Sequence, residues 1–137
     1  MSPKVELVKK WLMLADDDLR IAELAMKDPE PICWAATFHC QQTAEKSLKA
    51  FLAYHDHHVE KTHDIEFLLG LCRRFLPEIE KLIDKGSTLT DYAVDSRYPA
   101  PRVEVTQLQA EEAIEIARSI YEFVLKSLPD LENLPLE

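Results

Sequence analysis

The chain has 137 residues, of which 47% are hydrophobic, and its 25 acidic and 16 basic side chains leave a net charge of -9. That length suits one domain with a real core, and the acidic balance repels phosphate backbones, which excludes non-specific nucleic-acid binding. No stretch approaches the roughly 18 apolar residues of a membrane span, the opening Met-Ser-Pro-Lys-Val-Glu lacks a secretion signal, and Cys33, Cys40 and Cys72 form no CxxC pair, so a cytoplasmic protein without disulfides is expected.

The 2 glycines fall far below ordinary usage, so tight turns are few and long helices are expected. The first runs from about Lys4 to Lys27, where Val5, Val8, Leu12, Ala15, Leu19, Ala22 and Met26 recur at steps of three and four. Asp16, Asp17 and Asp18 interrupt that stripe in part and read as a solvated face. Asp28-Pro29-Glu30-Pro31 breaks the pattern; Asp28 is expected to cap a second helix whose first turn holds both prolines and which reaches about Tyr54. Ala35, Ala36, Cys40, Ala44, Leu48, Phe51 and Leu52 form its apolar side, and the small ones admit a close neighbour.

His55-Asp56-His57-His58 reads as a solvated connection. Thr62-His63-Asp64 opens a third helix that buries Ile65, Leu68, Leu69 and Cys72, and Pro77 starts a short continuation ending near Gly86. Ser87 to Arg102 is irregular, since Pro99 and Pro101 exclude a regular helix, and so long a connection in a compact domain is often functional. Thr106 to Gln109 spells a capping box for a last helix, continued by Ala113, Ile116, Ala117, Ile120 and Val124 to about Ser127. The periodicities give an all-α fold, an antiparallel up-and-down bundle of four to five helices.

In the second helix, His39, Gln42, Lys46 and Lys49 are spaced three, four and three, so they share one face. Four hydrogen-bond donors, two of them cationic, suit a phosphate or carboxylate; the same residues also make an ordinary solvated polar face, with Glu45 and Lys49 as a surface ion pair. His63 sits at a helix start, where anions are favoured but where simple capping explains it equally. Arg97 beside Tyr98 can clamp a phosphate and stack a base, or be an exposed loop pair. The clustered histidines match no zinc spacing, so no metal and no cofactor is expected. Trp11, Trp34 and Phe38 exceed what a short bundle easily buries and point to an apolar interface.

The run Ala35-Ala36-Thr37-Phe38-His39-Cys40-Gln41-Gln42-Thr43-Ala44-Glu45-Lys46-Ser47-Leu48-Lys49-Ala50 resembles the signature of the HEPN domain, a nucleotide-binding domain of higher eukaryotes and prokaryotes. Lys61-Thr62-His63-Asp64 and Ser96-Arg97-Tyr98-Pro99 are similar to stretches in its small prokaryotic members. The resemblance covers roughly Lys10 to Lys126 and implies a helical domain, taken as 1–128, and Pro129 and Pro135 make 129–137 a flexible C-terminal tail. It also implies a homodimer or higher homo-oligomer, and a place as nucleotide-binding partner of a minimal nucleotidyltransferase subunit, in some pairs as toxin and antitoxin. The ribonuclease branch carries an Arg followed four to six residues later by a His, and no Arg–His pair in this chain has that spacing. The expectation is therefore a nucleotide- or phosphate-binding site of His39, Gln42, Lys46, Lys49, His63, Arg97 and Tyr98, without catalytic residues. The alternatives are a ribonuclease with His39 or His63 as general base, and a structural dimerisation module.

Overall fold

The computed structural model describes residues 2–90 and 104–128. They form helices α1 (Pro3–Lys27), α2 (Cys33–Tyr54), α3 (Ile65–Cys72), α4 (Ile83–Thr90) and α5 (Gln107–Lys126), with a 3-10 turn at Pro77–Leu82 leading into α4. No strand occurs among the described residues, and the all-α bundle expected from the periodicities is the fold. The expected tail at 129–137, and Arg97 and Tyr98, lie outside the described residues.

The ends of the helices follow from local chemistry. The Ser2 hydroxyl accepts from the Val5 amide and opens α1, with Pro3 in the first turn, where its missing N–H costs nothing. Asp64 caps α3 by accepting from the Phe67 amide, and Thr106 and Gln109 form both halves of the capping box that opens α5.

One boundary differs from expectation. Asp28 ends α1 instead of opening α2: its backbone is extended (ψ 145), and its side chain accepts from the Glu30 amide. A residue that precedes proline is pushed out of the helical region, and two prolines spaced two apart do this twice. Helix α2 therefore starts only at Cys33, with Ile32 before it offering no side-chain cap.

α2 is the central helix, burying 14 of its 22 residues. It runs antiparallel to α1: Ile32 N–H donates to Ala25 C=O, Thr43 Oγ1 to Ala15 C=O, and Lys4 sits over the Tyr54 ring. α5 packs on both α1 and α2, closing a core around Leu12, Leu48, Phe51, Leu52 and Ile120, all at most 1% exposed. The small side chains of Ala36, Cys40, Ala44 and Ala50 are fully buried in α2, and they admit its neighbours at close range.

The chain then doubles back. Residues 55–64 return along α2, so α3 runs in the same direction as α2, with His63 beside Gln41, Cys72 beside Leu48 and Phe75 beside Phe51. Ten residues reach about 33 Å when extended, ample for the roughly 20 Å between the levels of Tyr54 and Gln41 on a helix. This return is what brings His63 to the middle of α2.

Gly86, expected near the end of its helix, sits inside α4, which continues to Thr90. A Cβ there would run into Leu69 Cδ1 and lie 3.0 Å from Ile65 Cγ2. Glycine is needed here for close packing of α4 on α3. Gly86→Ala gains about 1 kcal/mol of helix propensity but overpacks a fully buried leucine, which costs about 1–3 kcal/mol. A net loss, read as a lower urea midpoint at unchanged slope, is expected; a gain in stability would show that Leu69 can move aside freely.

Candidate functional site

The polar face of α2 is built around two carboxylates. Asp18, from α1, is 6% exposed; its Oδ1 accepts from His39 Nδ1 at 2.7 Å and its Oδ2 from Lys46 Nζ at 2.6 Å. Glu45, in α2 itself, is 5% exposed; its Oε1 accepts from His63 Nδ1 at 2.6 Å and its Oε2 from Lys49 Nζ at 2.8 Å. Each carboxylate thus bridges one imidazole and one ammonium, a unit that occurs twice along α2.

Two glutamines tie the second unit down. Gln41 Nε2 donates to the His63 carbonyl at 2.7 Å and more weakly to Glu45 Oε1 at 3.4 Å, while Gln42 Nε2 donates to Gln41 Oε1 at 2.7 Å. Lys49 Nζ lies 5.8 Å from the centre of the Trp11 ring, so an aromatic face from α1 covers the second ion pair.

His39, Gln42, Lys46, Lys49 and His63 are thus gathered along one seam, but their exposures separate their roles. The side chains of His39 and Lys46 are 27% and 22% exposed and that of His63 69%, so all three reach solvent. Lys49 is 8% exposed and pairs with a carboxylate that is equally buried, so it neutralises Glu45 inside the bundle.

Two readings from sequence are corrected here. Asp18 is not part of a solvated acidic face; it stands three residues after Ala15 and four before Ala22, on the edge of the buried stripe. Glu45 and Lys49 are a buried pair, not a surface one. Asp18, Glu45 and Gln41 complete the seam and were not among the expected site residues. For Asp18 the available signal was its place on the stripe edge, four residues from Ala22.

The chemistry follows from the bonding. An ionised carboxylate can only accept, so Nδ1 of each histidine carries its proton and Nε2 is left with a lone pair, or with an N–H once the ring is protonated. No protein hydrogen bond reaches either Nε2 among the described residues. Each outer ring nitrogen can accept a proton, or donate to an anion. Burial pushes the thiols of Cys40 and Cys72 up to about 12, so neither is a nucleophile near neutral pH. Among the described residues no three His, Cys, Asp or Glu side chains gather as a metal-binding group. A groove of about 690 Å³ lies between the 3-10 turn and α5, lined by Lys81, Lys85, Phe123 and Lys126 among others and by none of the seam residues.

The model of the HEPN domain family matches residues 8–128, and the chain belongs to that family. It is similar to TT1696 from Thermus thermophilus, at 31% identity and a TM-score of 0.73, over 88% of this chain and 98% of that one. It is also similar to ST0689, an archaeal HEPN homologue, at 26% identity and a TM-score of 0.71, over 88% of this chain and 97% of that one. No curated protein matches the sequence significantly.

Proposed function

We propose that the chain is a nucleotide- or phosphate-binding helical subunit that works beside a minimal nucleotidyltransferase, as in paired toxin–antitoxin systems, and that it assembles with a second copy of itself. The observation that carries the binding half is the seam: two buried carboxylates hold two imidazoles by Nδ1 and one ammonium along α2, and the side chains of His39, Lys46 and His63 all reach solvent. Gln42 adds a neutral donor and Lys49 holds Glu45 in place. Arg97 and Tyr98, outside the described residues, join the reading as a clamp from the neighbouring segment. The transferase partner is supported by family membership.

Lys46 meets an anion only in competition with Asp18, so affinity is moderate by design. Losing one charge-assisted contact removes about 1–3 kcal/mol. Calorimetric titration of ATP, GTP and their monophosphates is therefore expected to show Lys46→Ala binding about ten- to a hundredfold more weakly than wild type. Equal affinities, with helicity intact, would remove the case for an anion site on the seam. Co-purification with the product of the adjacent reading frame tests the partner.

The carboxylate-bound imidazoles favour one second reading, a ribonuclease in which His39 or His63 is the general base, because a fixed Nδ1 proton leaves Nε2 basic and oriented. Its weakness is charge: Lys49 is held on Glu45 inside the bundle and Lys46 is shared with Asp18, so a developing phosphorane has one partly neutralised ammonium to stabilise it. Cleavage of unstructured RNA in the presence of chelator, lost in His39→Ala, would establish that reading over the first.

A further inference from the structure

α1 has a second apolar stripe besides the one it buries. Leu7, Leu14 and Ile21 are spaced by seven and are 47%, 47% and 43% exposed, and Leu24 beyond them is 63% exposed. The stripe runs about 26 Å along the helix. It lies on the side of α1 turned away from α5, because Glu23, on the other side, reaches Arg118 of α5 at 2.5 Å. Single exposed leucines are ordinary; a continuous row at heptad spacing is the pattern of a helix that packs on another helix.

The charges beside the row say which helix. Along its margin the order is Glu6, Lys10, then Asp17, Arg20, with Leu14 at the centre. A two-fold axis across α1 at Leu14 sets a second copy antiparallel. Leu14 then meets its own counterpart once, on the axis, while Leu7 faces Ile21, Lys10 faces Asp17 and Glu6 faces Arg20 twice each, as an isologous interface requires, the exposed 3.9 Å pair of Asp17 and Arg20 within α1 giving way to them. A parallel two-fold sets the charged margins of the two copies on opposite sides of the seam, so none of these charge pairings forms in it. We infer that the Leu7–Leu24 face of α1 is the surface on which a second copy of this chain docks, antiparallel about Leu14. The inference deepens the self-association in the reading above and does not depend on the anion site.

The test is sedimentation equilibrium of wild type, Lys10→Asp, Asp17→Lys and Leu14→Glu, with circular dichroism to confirm that each folds. Wild type is expected to dimerise. Each charge variant alone faces two like-charge contacts and should associate at least about tenfold more weakly. An equimolar mixture of Lys10→Asp and Asp17→Lys should recover dimers, since both contacts between unlike variants are again attractive. Leu14→Glu should be monomeric, with no mixture rescuing it. A monomeric wild type would overturn self-association and this proposal together. A dimeric wild type with all three variants equally dimeric, or no recovery on mixing, would leave self-association standing and overturn α1 as its surface.

Discussion

Glu45→Ala is expected to lower stability by about 3–5 kcal/mol, among the largest losses from any polar substitution in this chain, because it strands a charge. Lys49 is 8% exposed at its side chain and Glu45 7%, so without the carboxylate the ammonium stays largely shut off from solvent, with the Trp11 ring 5.8 Å away in place of an anion. Gln41 and His63 lose their shared acceptor in the same step. For a chain of this length the loss corresponds to a fall in Tm of roughly 10–20 °C. The companion experiment separates the pair from its members: Glu45→Gln with Lys49→Met removes both charges at similar volume and should recover most of the loss, since a buried pair adds little net stability over an apolar replacement. Urea unfolding of the three proteins checks this. A loss below about 1 kcal/mol in Glu45→Ala would mean that Lys49 swings into solvent and that the second half of the seam is loosely held.

Such an effect could not be sized from the sequence, and the reason is instructive. Three-and-four spacing identifies which residues share a face, and it does so well here: of the expected stripe in α1, Val8, Leu12, Ala15, Leu19 and Ala22 are buried and the end members Val5 and Met26 partly so, and the capping residues Asp64 and Thr106 stand where their chemistry demands. Spacing says nothing of what a face meets. Lys46 and Lys49 stand one turn apart on one face, yet one is 22% and the other 8% exposed, and the Trp11 ring beside Lys49 comes from a helix 38 residues earlier. Asp18 likewise finds its partners 21 and 28 residues further along the chain. The reach of His63 depends on the direction in which residues 55–64 return, and no local pattern encodes that. Gly86 was legible as a glycine but not as a contact, since its constraint is the Leu69 side chain on another helix.

The second large effect has two signs. Asp18→Asn keeps the shape of the side chain and removes its charge, so the hydrogen bonds from His39 and Lys46 lose their charge-assisted strength and the tie between α1 and α2 weakens by about 1–3 kcal/mol. The lower figure applies if Lys46, 22% exposed, exchanges its lost partner for water. Anion binding should move the other way. A phosphate oxygen on Lys46 would lie about 5 Å from the Asp18 carboxylate, given one hydrogen bond on each side of Nζ. Repulsion between like charges at that distance is about 1 kcal/mol in bulk water and about 3 kcal/mol near a protein surface. Removing it should tighten phosphate binding at least about fivefold, in a protein that is measurably less stable. Few substitutions weaken a fold while strengthening a ligand, so the combination is diagnostic of a carboxylate that competes with the anion for one lysine. Denaturant titration and calorimetry on the same preparation read both quantities. Weaker binding in Asp18→Asn would instead make Asp18 a positioning residue, holding His39 and Lys46 in the geometry the anion requires, and the competition between carboxylate and phosphate would be withdrawn.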